Sequence, residues 1–298
     1  MNVVFIIFNR PEQTSCVFTR IREARPQRLL IVSDGPRGDQ SGEAEVVQAV
    51  RHIAEQVDWP CEVLTNYATE NMGCRRRVAS GLTWAFRHVE DAIILEDDCL
   101  PNPSFFTFCQ ELLEYYSNNG QVTHISGDNF QKGRKRGAGD YYFSKYAHIW
   151  GWATWRRAWR LYDGDMSLWP SRGLETIARW CAESSERRYW EGIFNMVANG
   201  EIDTWDYPWL FSCWVHNSLM IVPQVNLVSN IGFDHAGTHT RSSENKKFRL
   251  PLEKMSFPLK HPHEMKSNHV ADEYTCRTMF VPKETVREKI LRRLASLR

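Results

Sequence analysis

The sequence predicts an α/β protein built on a doubly wound, mostly parallel sheet, and three observations carry that reading. Over residues 1–127, short apolar runs alternate with helix-like segments, the order expected of a parallel sheet. Several of those runs end in polar, turn-forming residues, as ligand-binding strand ends do. The length of 298 residues is enough to bury the core of one large α/β domain, alone or with a smaller appendage.

The strands fall near residues 3–8, 29–33, 61–66, 93–96 and 122–126. Helices fall between them near 12–24, 43–57, 73–89 and 104–116, and Pro11 suits a first helical turn, where its missing N–H is not needed. From residue 128 the texture changes. Residues 131–140 are glycine-rich and basic and read as a mobile loop. Ten aromatic residues then fall between Tyr141 and Trp169. Trp152, Trp155 and Trp159 recur at helical spacing and read as core, although flat aromatic faces also pack against sugar rings.

Composition excludes several classes. With 37 basic and 36 acidic residues no overall field favours nucleic acid or an anionic membrane, so any polyanion site must be local. The eight cysteines form no CxxC and no paired spacing, which fits a reducing cytoplasm. The apolar run at residues 3–8 is too short for a signal sequence and lacks a basic segment before it, and no stretch reaches the length of a membrane span. The chain is therefore expected to be soluble or peripheral. Neither GxGxxG nor GxxxxGK[ST] occurs.

The most informative run is Ala92-Ile93-Ile94-Leu95-Glu96-Asp97-Asp98, in which an apolar strand delivers three consecutive carboxylates to one point. Hard cations such as Mg²⁺ and Mn²⁺ take oxygen ligands and are often held by one or two carboxylates while phosphates complete the shell. A solvated acidic turn, with Asn102 or Ser104 capping the next helix, is the plainer alternative. Convergence favours the metal, because Asn9-Arg10-Pro11 and Ser33-Asp34-Gly35 end neighbouring strands and should share the crevice. Asn71, with Arg75 at the start of the following helix, can add phosphate donors, or those arginines simply face solvent.

These motifs, in the order Asn9-Arg10-Pro11, Ser33-Asp34-Gly35, Glu96-Asp97-Asp98 and then Pro101 to Phe106, resemble nucleotide-sugar glycosyltransferases of the GT-A fold. Within them the chain is most similar to the GlcNAc-transferase I type and to bacterial proteins labelled hemolysin-like. The likeness covers most of residues 1–240, specific at the triplet and loose elsewhere. It implies a GT-A (Rossmann-like), mostly parallel central sheet flanked by helices. Residues 1–127 would be the donor-binding half and 128–281 the acceptor-side and catalytic region of the same domain. It further implies that Asp98 binds Mn²⁺ or Mg²⁺ directly, that Asp97 supports metal or ribose, and that Glu96 lies near the nucleotide. Asn9, Arg10 and Asp34 fall where the family holds base and ribose. The implied donor is a nucleotide-diphosphate sugar, UDP-linked, and the implied acceptor a glycan or lipid-linked glycan, with no role for nucleic acid.

Sugar transfer also needs a base for the acceptor hydroxyl. Asp206 best matches the family's Asp and implies inversion, with Asp203, Asp163 and Asp165 in reserve, yet Asp206 before Pro208 also suits a helix cap. His239 and Arg241 lie in a glycine- and histidine-containing loop of the kind that closes over a diphosphate, or they are ordinary surface groups. Residues 282–298 form a basic amphipathic segment that can rest on the inner face of an anionic membrane, dock on the domain or mediate a dimer. Two rivals stand beside the glycosyltransferase: a nucleotidyltransferase with an acidic metal site, and a non-enzymatic carbohydrate-binding or cytolytic protein.

Overall fold

The computed structural model describes residues 1–232 and 250–281. His239, Arg241 and the 282–298 segment therefore lie outside the described residues. The first half follows the expected alternation within a few residues: β1 (Asn2–Ile7), α1 (Pro11–Ala24), β2 (Arg28–Ser33), α2 (Glu43–Ala54), β3 (Glu62–Tyr67), α3 (Cys74–His88) and β4 (Asp91–Glu96). A short β5 (Cys99–Pro101), α4 (Pro103–Tyr115) and β6 (Val122–Ser126) complete it. Pro11 and Pro103 both occupy a first helical turn, and the Asn102 side chain caps α4 by accepting the Ser104 N–H at 3.0 Å. The cap expected of an acidic turn is thus present just beyond the triplet.

Strands from both halves of the chain enter one eight-stranded sheet of order β3-β2-β1-β4-β8-β6-β9-β7, where β7 is Tyr141–Ser144, β8 Trp152–Trp155 and β9 Leu219–Pro223. The strands β3, β2, β1 and β4 run parallel, as do β6 and β9, while β8 and β7 run against them. With helices on both faces this is the mostly parallel, Rossmann-like α/β arrangement that the sequence predicts. Its strands are apolar on both sides: Val3, Phe5 and Ile7 pack into one core, Val4 and Ile6 into the other, and all five are buried. Full burial of each such side chain contributes about 1.5–3 kcal/mol.

Trp152 and Trp155 correct the helical spacing expected of them. They end a strand, three residues apart, so they point to opposite faces, and Trp155 packs in the core of α1 and α4 while Trp152 packs in the core of α3. Only Trp159 is helical, in the single turn α5 (Arg156–Trp159). The helices α6 (Trp169–Trp180), α7 (Ser184–Ala198) and α8 (Asp206–Val215) cover that second face. Their aromatic residues, Trp190, Trp209 and Trp214 among them, are buried core. The strand β10 (Val228–Asn230) pairs antiparallel with β5 and carries the chain back to the triplet. A last helix, α9 (His269–Thr275), closes the described residues with one π-turn over Cys276–Phe280.

Candidate active site

Parallel pairing of β1 with both β2 and β4 aligns their carboxyl ends, so Phe8 to Arg10, Asp34 and Glu96 to Asp98 meet at one edge of the sheet. A cavity of about 260 Å³ opens there, lined by Phe8, Arg10, Asp34, Asn71, Glu96 and Asp97, among others. The expected crevice exists, and five of the residues singled out from the sequence, Arg10, Asp34, Asn71, Glu96 and Asp97, line it.

The triplet meets a cation of the protein's own. The Arg10 guanidinium donates to Asp97 Oδ1 at 3.1 Å and to Asp98 Oδ2 at 2.7 Å, and the Phe8 N–H donates to Asp97 Oδ2 at 3.0 Å. One guanidinium faces three carboxylates, so acidic groups outnumber the local cation. Burial, followed by the charges of Asp98, Asp97 and Asp206, pushes Glu96 up to about 8. Burial likewise pushes Asp97 up to about 6 against the pull of Arg10. These groups sit where more positive charge would be welcome.

Asp34 is committed differently. Its Oδ1 accepts the N–H of Gly35 and of Met72, each at 2.9 Å, and its Oδ2 accepts the Gly73 N–H and the Asn71 side-chain amide, each at 3.1 Å. Four donors occupy the four lone-pair positions of one carboxylate. Asp34 thereby folds the 71–73 loop over the crevice. Gly35 permits this because a Cβ there would lie 2.5 Å from the Glu70 backbone, and Gly73 because its φ is +78°. Asn71 also donates to the Gly35 carbonyl at 3.0 Å.

The remaining residues sort by partner. Asn9 donates to Glu43 at 2.8 Å, and the Arg37 side chain, which grips the same carboxylate, holds Glu43 down at about 2. Arg75 reaches away to the Gly164 carbonyl. Buried Arg77 ties α3 to the Ser33 carbonyl at 3.1 Å. Asp206 begins α8, whose cap position is Trp205. Its Oδ1 accepts from the Thr204 hydroxyl and, at 2.9 Å, from the Tyr207 N–H, and burial raises its pKa. It does not line the cavity, but it is near enough for its charge to act on Glu96. Cys74 lies near both: burial, then the charges of Glu96, Asp206, Asp203 and Asp34, push its thiol up to about 12.

Phe8, Glu43, Thr204 and Gly232 are site residues that motif reading passed over or did not connect. Gly232 is the least expected. The Ile231 N–H donates to the Asp98 carbonyl at 2.8 Å, and a Cβ on Gly232 would lie 2.5 Å from Asp98 Oδ2. A glycine here lets the chain lie against the last carboxylate.

The donor set suits a hard divalent cation, since it offers only carboxylate oxygen and excess negative charge. Among the described residues no three His, Cys, Asp or Glu side chains form a cage. A site of one or two carboxylates completed by phosphate oxygens needs none. Asp98 and Asp97 are the residues that would hold the ion.

Among the described residues no helix is long and apolar enough to cross a membrane, and all eight cysteines are free. No protein-family model matches the chain, and no curated protein matches it. Among solved structures it is similar to a mannosyltransferase from Pyrobaculum calidifontis in complex with GDP-Man and Mn²⁺, at 13% identity and a TM-score of 0.40, over 72% of this chain and 68% of that one. It is also similar to the galactosyltransferase LgtC in complex with donor and acceptor sugar analogues, at 12% identity and a TM-score of 0.37, over 97% and 99% of the two chains. An apo UDP-glucose pyrophosphorylase is similar at 12% identity and a TM-score of 0.39, over 77% and 93%. These likenesses are distant, and the reading of the site stands on its own geometry.

Proposed function

We propose that the protein is a glycosyltransferase that moves a sugar from a nucleotide-diphosphate donor, UDP-linked, to a hydroxyl of a glycan or lipid-linked acceptor, with inversion. One observation carries the reading: Glu96 and Asp97 at the end of β4 line a crevice at the carboxyl edge of a parallel sheet, and the part-buried carboxylate of Asp206 is near enough for its charge to act on Glu96. A nucleotide with its diphosphate fits such an edge.

The chain's own residues divide the work. Asp98, with Asp97 beside it, is the holder of Mn²⁺ or Mg²⁺, and that ion supplies Lewis-acid charge to the departing diphosphate when bound. Arg10 keeps Asp97 and Asp98 in place. Asn9, held by Glu43, and the loop that Asp34 folds around Asn71 form the walls for base and ribose. The loop carrying His239 and Arg241 is a further candidate for the diphosphate.

Thr204 and the Tyr207 N–H fix Asp206 through Oδ1. Oδ2 is the oxygen assigned to an acceptor hydroxyl, and a pKa raised by burial makes the carboxylate a stronger base. The acceptor proton passes to Oδ2 as the acceptor oxygen bonds to the anomeric carbon. The bond from that carbon to the diphosphate oxygen breaks on the opposite side, which inverts the centre. A cytoplasmic enzyme of surface-polysaccharide or glycolipid assembly is the setting this chemistry suits.

The test is a panel of nucleotide sugars assayed for Mn²⁺-dependent hydrolysis. Asp206→Asn should lower turnover by about 10²–10⁴-fold with donor affinity retained, the range for loss of a general base. Undiminished turnover in that variant would remove the base assignment, and silence of the wild type with every donor would remove the enzyme.

A further inference from the structure

A second cavity, of about 450 Å³, opens beside the outer face of α3, away from the donor crevice. Its lining holds three arginines and no carboxylate. Arg87 and Arg160 are exposed, and among the described residues no group pairs with either guanidinium. Arg156 bonds to Glu90, whose side chain is 76% exposed, so solvent screens that pair heavily. The wall behind them is rigid: Trp159 is fixed by its indole N–H on the Thr83 hydroxyl at 3.0 Å, and Tyr162 stacks on it with centroids 4.4 Å apart at 10°. The Tyr162 hydroxyl is buried without a hydrogen-bond partner.

Unpaired guanidinium forks over a fixed aromatic wall form a receptor for planar or tetrahedral oxyanions, with phosphate the strongest partner for such forks. The cavity is also connected to the site. Tyr162 lies close enough to Asp206 and Arg75 to feel both charges, and Arg75 bonds to the Gly164 carbonyl two residues further on.

We propose that this groove binds a phosphate or diphosphate group, that of a phosphate-bearing acceptor. The assignment to the acceptor rests on the glycosyltransferase reading, whereas the anion site does not. The full-length protein is titrated calorimetrically with inorganic pyrophosphate in metal-free buffer, wild type against Arg87→Ala/Arg160→Ala. The expected result is binding by the wild type that weakens at least tenfold in the double variant and also weakens with added salt, while Mn²⁺-dependent UDP binding and the thermal midpoint stay unchanged. A wild type that ignores pyrophosphate, or a double variant that binds it equally, overturns the site. Binding of a glucuronate disaccharide in preference to pyrophosphate overturns the phosphate assignment. Arginine-dependent pyrophosphate binding by a protein that fails to bind UDP would leave the groove standing and overturn its assignment to an acceptor.

Discussion

Asp34→Asn separates a residue that touches the nucleotide from one that builds the wall around it. The carboxylate accepts four hydrogen bonds, three from backbone N–H groups of Gly35, Met72 and Gly73 and one from Asn71. The isosteric amide retains one oxygen and turns an NH₂ toward two of those donors. Two donors in a part-buried turn then lose their acceptor, at the lower part of about 1–3 kcal/mol each, so a loss of about 2–3 kcal/mol of folding stability is expected. Urea unfolding measures it, with UDP affinity measured in parallel on the folded variant. The account predicts a fall of at least about 2 kcal/mol together with weaker UDP binding, because the 71–73 loop loosens. Unchanged stability together with lost UDP affinity would refute the reasoning and make Asp34 a direct contact.

Gly232→Ala should turn the Asp98 carboxylate away, since the new Cβ would sit 2.5 Å from Oδ2 and that oxygen is the movable end of a side chain. Calorimetry should then show Mn²⁺-dependent UDP binding weakened about tenfold, equivalent to about 1.4 kcal/mol, and an unaltered affinity would place Asp98 outside the site. His124 offers a pH test. It is buried between the His148 carbonyl and the Trp209 indole, and burial lowers its pKa to about 3. The unfolded chain takes up its proton near pH 6.5 and the folded chain does not, so its contribution to stability is full above that pH and is lost as the pH falls toward 3. Between pH 7.5 and 4.5 the wild type should lose about 2.7 kcal/mol relative to His124→Gln, read from urea unfolding of both, and parallel pH profiles would contradict a neutral buried imidazole.

How much was legible depended on whether information was local. The strands β1 to β4 and the helices between them follow from apolar runs, Pro11 and the spacing of turns, all within a few residues of sequence. Trp152 and Trp155 misled because a three-residue spacing also suits a helix, and what makes them a strand is pairing with β4 and β6. The insertion of antiparallel β8 between β4 and β6 is a long-range pairing that leaves no local trace.

At the site, the triplet and its convergence with residues 9, 10 and 34 could be read because strand ends carry their own polar residues. What those residues bond to could not. Arg10 meets Asp98 across 88 positions and Asp34 meets Gly73 across 39, and both pairings exist only once the sheet is assembled. Gly232 carried a visible signal, a glycine after an apolar strand, but its purpose appears only when β10 lies against β5.

The central claim is that the corner at Glu96, Asp97 and Asp98 gathers a divalent cation and a nucleoside diphosphate together. Electron paramagnetic resonance of Mn²⁺, titrated with the wild type and with Asp98→Asn in the presence and absence of UDP, tests it directly. The account predicts tight Mn²⁺ uptake by the wild type only when UDP is present, and its loss in the variant. Uptake indifferent to UDP, or undiminished in Asp98→Asn, would contradict it.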